Sequence, residues 1–160
     1  MIKFTVRKLS EKDLTKGFFE TLENLIPVGN LSLSRAKDIF REISQNPVYN
    51  IYVAESETGE IIGATTLLIE QKFLGKGSRM AHIEDVSTRK GFERQGVGKT
   101  LVKTAIEEAK RRGCFRIDLT CADENVSFYE RRGFVEEEHT MKIWVVPLEE
   151  LVRRAKEKER

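Results

Sequence analysis

The most constraining feature of this sequence is residues 86–113, where an apolar run, a glycine-containing loop and an amphipathic pattern follow one another. After the loop, apolar side chains recur at intervals of three and four residues, and charged side chains fill the other positions. Gly113 follows cationic residues that suit a helix C-terminus. The stretch therefore predicts a strand, a loop and a long helix whose apolar positions are Leu101, Val102, Ala105, Ile106 and Ala109.

The start of this predicted helix is suited to binding an anion. The first turn of a helix leaves backbone N–H groups without partners, and the helix dipole adds positive charge there. Gly96 and Gly98 lack a Cβ, so that a phosphate can approach the main chain closely. A loop shaped only for structural reasons is the alternative. Two nucleotide-binding motifs fail, because Val97 stands where the phosphate loop needs Lys and Leu101 stands where the Rossmann motif needs its third glycine.

Length and composition exclude several classes of protein. The chain has 160 residues, which favours one domain, with 39% hydrophobic and 34% charged residues and a net charge of +2. So small a net charge predicts no nucleic-acid or membrane partner, and no apolar run approaches the roughly 20 residues of a membrane span. Cys114 and Cys121 alone are too few for a zinc site. We expect a cytoplasmic protein with free thiols and no metal.

The order of elements predicts an α/β fold with a mixed, twisted sheet flanked by helices. The order is β-α-α-β-β-β-α-β-α-β, in which the last β element is one long strand or a strand pair. Residues 1–146 are predicted to form the domain, and residues 147–160 a charged helical tail. Besides the central helix, the predicted strands are 2–8, 49–55, 61–70, 81–87, 115–121 and 134–146, and the predicted helices are 11–25, 34–45, 124–132 and 148–160.

The loop sequence ERQGVG (Glu93–Gly98) resembles the acetyl-CoA loop of the GNAT superfamily of N-acetyltransferases. That pattern is Gln/Arg-x-x-Gly-x-Gly/Ala, which this chain matches at both glycines and leaves at Glu93. The element order is also that of the superfamily. The resemblance implies acetyl-CoA as the cofactor. The residues that it implies for cofactor binding are Val86, Arg94, Gln95, Gly96, Val97, Gly98, Lys99, Phe128, Tyr129 and Arg131.

Four further motifs narrow the resemblance to the glucosamine-6-phosphate N-acetyltransferase branch. They are IEQKF, HIEDV, GC-x-R-I-x-L and FYERRGF, and the resemblance covers most of residues 5–143. It implies direct transfer of an acetyl group to the amine of a small molecule, with glucosamine 6-phosphate as the first candidate, in a homodimer. Ile26, Thr120 and Trp144 depart from that branch at substrate positions. An acetyltransferase for a protein, a polyamine or another amino sugar therefore stays open, as does a non-catalytic acyl-CoA-binding module.

Two neighbouring carboxylates, Glu84 and Asp85, lie in an otherwise apolar predicted strand. Alternation along a strand places them on opposite faces, and burying them without a partner is costly. A structural salt bridge is one explanation, and recognition of an ammonium group and sugar hydroxyls is the other. The resemblance implies that both line the acceptor site. Together with them, the predicted substrate-binding residues are Lys72, Phe73 and Lys142.

Tyr129 is either a core aromatic residue or the group that donates to the leaving thiolate. The resemblance implies the second role. It also implies that the strand ending at Val86 splays from the parallel strand 115–121, which frees the Val86 N–H for the thioester oxygen. The predicted catalytic residues are Glu84, Tyr129 and Val86. The competing mechanism uses Cys121 as a nucleophile with His139 as its base.

Overall fold

The computed structural model describes residues 2–157 and contains a five-stranded mixed sheet in the order β1-β2-β3-β4-β5. The first four strands pair antiparallel, and β4 pairs parallel with β5. The predicted mixed α/β sheet is thereby confirmed. The strands are β1 (Phe4–Lys8), β2 (Tyr49–Ser56), β3 (Ile61–Gln71), β4 (Arg79–Thr88) and β5 (Cys114–Leu119).

Six helices accompany the sheet over residues 2–157, in addition to two 3-10 turns at Glu11–Thr15 and Asp123–Asn125. None of these helices is long and apolar enough to cross a lipid bilayer. The helices are α1 (Phe18–Leu22), α2 (Leu33–Gln45), α3 (Leu74–Gly77, a single irregular turn), α4 (Val97–Arg111), α5 (Val126–Glu130) and α6 (Leu148–Lys156).

Helix α4 is the central predicted helix, and its apolar stripe packs on β3 and β4. Leu101, Val102, Ala105 and Ala109 are all fully buried. The last three share a hydrophobic cluster with strand residues such as Leu67 and Ile83. Burying such a stripe supplies most of the stability of a helix in a folded domain. The periodicity of the sequence therefore located this helix correctly.

The helix predicted for residues 11–25 is wrong as one continuous element. A 3-10 turn covers Glu11–Thr15, and α1 begins only at Phe18. Between them Gly17 adopts a φ of +94°, a left-handed conformation that interrupts an α-helix. The Lys16 carbonyl instead accepts a hydrogen bond of 2.7 Å from the N–H of Ile61 at the start of β3. A tertiary contact thus replaces a helical one.

The strand predicted for residues 134–146 is also wrong in this chain. Residues 134–147 contain no strand. A strand needs a neighbour for its backbone N–H and C=O groups, and this segment pairs with no strand among residues 2–157. Its large apolar side chains are exposed instead, namely Val135, Met141, Ile143, Trp144 and Val145.

The predicted tail forms helix α6, and its last three residues, 158–160, lie outside the described residues. The end of α6 lies against the loop between α1 and α2. The Asn30 N–H donates to the Ala155 carbonyl at 3.0 Å, and the Asn30 side-chain amide donates to the carbonyls of Lys156 and Glu157 at 3.4 Å. A Cβ on Gly29 would lie 2.2 Å from the Ala155 oxygen. Only glycine fits this contact.

Candidate active site

A β-bulge in β4 reshapes the strand at the predicted catalytic residues. Thr66 pairs with Glu84 and Ala64 pairs with Ser87, so that Asp85 and Val86 lie opposite the single residue Thr65. Asp85 has a φ of +53°. The bulge interrupts the regular alternation of side chains along β4 at Asp85 and Val86. Both carboxylates are exposed, so the cost of burial was not a valid argument for their function.

Strands β4 and β5 diverge at this bulge. Their parallel pairing ends at Ile83 and Leu119, whereas β4 continues to Thr88. From Glu84 onward, β4 therefore has no hydrogen-bonded neighbour on the side of β5 within the described chain. The structure has the splay that the sequence motifs implied. The half-buried Val86 lies in the open part of this wedge.

The N-terminus of α4 lies at the end of β4 and has no side-chain cap among the described residues. Its N-cap is Gly96, with a φ of +87°, and the first intrahelical bond runs from the Thr100 N–H to the Gly96 carbonyl. The N–H groups of the first turn have no carbonyl behind them in a helix. Because the Val97 side chain is buried, only its main chain can meet a ligand.

Two glycines leave room at this helix start. No atom lies within 4 Å of a Cβ built on Gly96, and a Cβ on Gly98 would meet Thr88 Oγ1 at 3.6 Å and Phe128 Cζ at 3.7 Å. Of the flanking residues, Arg94 and Lys99 are exposed, and the Gln95 side-chain oxygen accepts from the Ile2 N–H at 3.3 Å. The space and the free donors fit a phosphate.

Helix α5 approaches this loop through Phe128, and Tyr129 is the next residue of the helix. The Phe128 ring, which lies near Gly98, packs edge-on against the Tyr129 ring at 4.9 Å between centroids, and Phe134 packs on the other side at 5.9 Å. Burial raises the pKa of the Tyr129 phenol above its usual value of 10. Its hydroxyl therefore keeps its proton at neutral pH and is able to donate it. Arg131 is exposed at the end of α5.

A cleft of about 820 Å³ lies between β5, α5 and the segment 134–142. Glu84 and His82 from β4, Tyr129 from α5 and Lys142 from the C-terminal segment all line it. Most of its charged groups are acidic, although the whole chain carries a net charge of +2. The acidic lining residues are Glu84, Asp118, Asp123, Glu130, Glu136, Glu137 and Glu138.

Comparison with known proteins identifies the family. The family model described as "Acetyltransferase (GNAT) family" matches residues 17–134. The chain belongs to the GNAT acetyltransferase family. It is therefore an N-acetyltransferase, and the fold follows from the same relationship.

Several individual relatives of this GNAT chain carry one name. This chain is 37% identical over 132 residues to the glucosamine 6-phosphate N-acetyltransferase of Arabidopsis thaliana, and the match covers 81% of this chain and 89% of the relative. The Candida albicans protein of the same name is 31% identical to this chain, and the match covers 82% of this chain and 89% of the Candida protein. The crystal structure of the Arabidopsis enzyme superposes with a TM-score of 0.86 at 34% identity, covering 90% of this chain and 99% of the other.

The GNAT structure does not bring all the predicted substrate-binding residues into the cleft. The Lys72 ammonium contacts the Glu70 carboxylate, which lies 3.8 Å from His82 Nε2. The hydrogen bond from Lys72 lowers the pKa of Glu70. The Phe73 side chain is fully exposed beside α3. Lys142 alone among the predicted cations lines the cleft.

Cys121 and His139 both line the cleft, which keeps the competing nucleophile in reach of a substrate. Burial raises the pKa of the Cys121 thiol, and the negative charges of Asp123 and Glu136 raise it further. Since the thiolate is the nucleophilic form, this environment disfavours Cys121 as a nucleophile.

Two residues at the site were missed in the sequence. The buried Thr65 hydroxyl donates to the Glu84 carbonyl at 3.3 Å, and the Asn24 side-chain amide donates to the Thr88 carbonyl at 2.7 Å. In sequence, Thr65 is only a β-branched residue in a strand. Asn24 lies 64 residues from its acceptor, so no local pattern connects the two.

Proposed function

We propose that this N-acetyltransferase uses acetyl-CoA and transfers its acetyl group directly to the amine of glucosamine 6-phosphate. The observation that carries the donor half is the uncapped α4 N-terminus beside Tyr129, at the mouth of the β4–β5 wedge. The acceptor half is supported by the name that the relatives share. Free thiols at Cys114 and Cys121 suit the reducing cytoplasm in which we place the reaction.

The pyrophosphate of the donor fits the start of α4. The main-chain N–H groups of Val97, Gly98 and Lys99 supply hydrogen bonds, and the helix dipole favours the negative charge. Arg94, Gln95 and the Gly96 main chain border the same space. We assign Phe128 and Arg131 to the wall of this donor site, because α5 lies against Gly98.

Three groups of the chain act on the reacting atoms in this proposal. Acetyl-CoA supplies an activated thioester. The Val86 N–H, on the open side of the wedge, donates to the thioester oxygen as negative charge develops there. The Tyr129 hydroxyl donates to the departing sulfur. The Glu84 carboxylate attracts the substrate ammonium and orients it, and a proton passes from the ammonium to solvent before attack. The amine nitrogen then bonds to the thioester carbon as the carbon–sulfur bond breaks, and the nitrogen releases its second proton to solvent.

The acceptor is held by groups around the cleft. Glu84 and Asp85 face the amine and hydroxyl region, and the Thr66 hydroxyl, 3.4 Å from the Asp85 carboxylate, limits the motion of Asp85. Lys142 in the cleft, or Lys72 next to Phe73, contacts the phosphate. A lysine binds phosphate as a point charge, without the bidentate geometry of arginine.

A second copy of the chain completes the site in this proposal. Residues 134–146 carry several exposed apolar side chains, with Met141 at 92% and Ile143 at 88% exposure. A strand from a partner would cover these apolar side chains and pair with the backbone N–H and C=O groups of the segment.

Trp144→Asp should shift the chain from dimer to monomer in sedimentation velocity at micromolar concentration. A wild-type monomer would contradict the proposal.

An acceptor panel tests the substrate. We expect glucosamine 6-phosphate to exceed glucosamine in kcat/KM by roughly ten- to a hundredfold, because a charge-assisted contact contributes roughly 1.5–3 kcal/mol. Most of the difference should lie in KM, since the phosphate is remote from the reacting nitrogen. Either Lys142→Ala or Lys72→Ala should erase the preference, which identifies the lysine that contacts the phosphate, while Lys103→Ala at an exposed position of α4 should leave it intact. Equal rates for both sugars would refute the sugar-phosphate assignment.

The charge of the cleft favours one alternative acceptor, a polycationic amine. Seven carboxylates line the cleft, against Arg116 and Lys142. They attract a polyamine and repel a phosphate. Spermidine and a lysine-containing peptide therefore belong in the same panel. A kcat/KM for either that exceeds the value for glucosamine 6-phosphate would assign the cleft to cationic amines.

A further inference from the structure

We propose that Thr65 is a positioning residue, whose buried hydroxyl holds the β4 bulge in the shape that presents the Val86 N–H and Glu84 to the reacting atoms. The proposal rests on the proposed function for the roles of Val86 and Glu84. Thr65 lies on β3 and is fully buried. It is the single residue opposite the two bulged residues, Asp85 and Val86.

The contact joins the bulge to the rigid part of the sheet. Thr65 Oγ1 donates to the carbonyl of Glu84 at 3.3 Å. That carbonyl belongs to the peptide that precedes Asp85, the residue with a φ of +53°. On the other side of Glu84, pairing with β5 has already ended at Ile83. The bulge therefore has no hydrogen bonds to β5, and the hydrogen bond from the Thr65 hydroxyl restrains it from the β3 side.

The position of a donor matters more than its presence in this kind of chemistry. A misplacement of about 1 Å costs up to a hundredfold in rate, and the loss of one oxyanion donor costs roughly a hundred- to a thousandfold. The Glu84 carbonyl and the Val86 N–H belong to peptide units only one residue apart. A residue that fixes one of these peptides also restrains the other.

Two substitutions separate the hydroxyl from the packing. Thr65→Val keeps the side-chain shape and loses the hydroxyl, whereas Thr65→Ser keeps the hydroxyl and loses a methyl group. We expect Thr65→Val to lower kcat by about ten- to a hundredfold with KM for acetyl-CoA nearly unchanged. Thr65→Ser should retain kcat within about threefold, although its melting temperature falls. The matched control is Thr104→Val, which removes a hydroxyl that bonds the Thr100 carbonyl at 2.9 Å within α4.

Amide hydrogen exchange supplies a readout that does not depend on turnover. Thr65→Val should speed exchange at residues 84–86, and Thr104→Val should not. A kcat for Thr65→Val within twofold of the wild type, or a loss in Thr65→Ser as large as that in Thr65→Val, would overturn the proposal. A wild type that transfers no acetyl group would refute the proposed function instead, and unchanged exchange at residues 84–86 would then refute the role of Thr65 separately.

Discussion

The region around β4 and α4 differs sharply from the C-terminal segment 134–157. In the first region β4 pairs with β3 on both sides of the bulge, and the apolar side chains of α4 are buried. In the second, residues 134–147 form no strand, and Trp144 is 58% exposed. The proposed function assigns the donor side of the site to the first region. It makes the acceptor side depend on a second copy of the chain that would cover the second region.

Ion pairs extend the contrast from the β4–α4 region to the rest of the domain, and they give the largest expected effect. The buried pair of the domain joins β1 to the 3-10 turn Glu11–Thr15. Arg7 donates to the carboxylate of the fully buried Asp13 at 2.6 and 2.8 Å. Arg7→Met leaves that charge buried and unpaired, so we expect the free energy of unfolding to fall by about 3–5 kcal/mol. Arg153→Met in the tail removes exposed contacts to Glu150 and Glu157 and should cost below about 1 kcal/mol. Urea denaturation compares the two, and equal losses would contradict the contrast.

The same buried pair predicts a pH dependence. Burial alone would raise the pKa of Asp13, but hydrogen bonds from Arg7 and Ser10 outweigh burial and lower it. A depressed carboxyl pKa contributes stability above the unfolded value of about 3.9, and this stability is lost as the pH falls through the folded pKa. The wild type should therefore lose stability below about pH 4. This acid loss should shrink in Asp13→Asn, measured by urea midpoints across pH. If Asp13→Asn loses as much stability in acid as the wild type, other carboxylates cause the loss.

Tyr129→Phe tests the chemical step of the donor side. The variant keeps the ring packing against Phe128 and Phe134 and loses only the hydroxyl. We expect kcat to fall about 100- to 1000-fold with acetyl-CoA affinity retained. Because the pKa of Tyr129 is raised above its usual value of 10, ionisation of Tyr129 should not lower the wild-type rate at any pH below 10. A wild-type kcat in Tyr129→Phe would leave the residue with a packing role only.

Gly98→Glu tests donor binding with a somewhat smaller effect. The new carboxylate lies where phosphate approaches the start of α4, and the repulsion and lost N–H contacts should cost on the order of 2–3 kcal/mol of acetyl-CoA affinity. Calorimetry measures it. Lys103→Ala, which changes the charge by the same amount farther along α4, is the control. Unchanged affinity in Gly98→Glu would make the loop purely structural.

The docking of the tail gives the smallest effect. Asn30→Ala removes the side-chain bonds to the carbonyls of Lys156 and Glu157. The contacts are exposed, so we expect a loss below about 1 kcal/mol. Hydrogen exchange should quicken in α6 and stay unchanged in α4. Faster exchange in α4 would mean that docking of the tail also stabilises the β4–α4 region. The two regions would then not be independent in stability.

Sequence patterns predicted most of the first region, but in the second they predicted only the tail helix α6 correctly. The spacing of Leu101, Val102 and Ala105 located α4, because a helix that packs on a sheet needs one apolar stripe. A strand is predicted for 134–146, but a strand also needs a neighbour, and none within the described chain pairs with this segment. The bulge at Asp85 and the contact of Asn30 with Lys156 depend on residues distant in sequence. Local periodicity carries no information about such contacts.

The central claim is direct transfer on a donor site built from β4, α4 and α5. Two experiments test it most directly. One is an initial-rate study with both substrates varied, and the other is mass spectrometry of the enzyme after incubation with acetyl-CoA alone. The account predicts intersecting double-reciprocal lines, no acetyl adduct, and a kcat for Cys121→Ala close to that of the wild type. Parallel lines together with an acetyl group on Cys121 would contradict it, because they would show that the amine attacks an acetyl-enzyme.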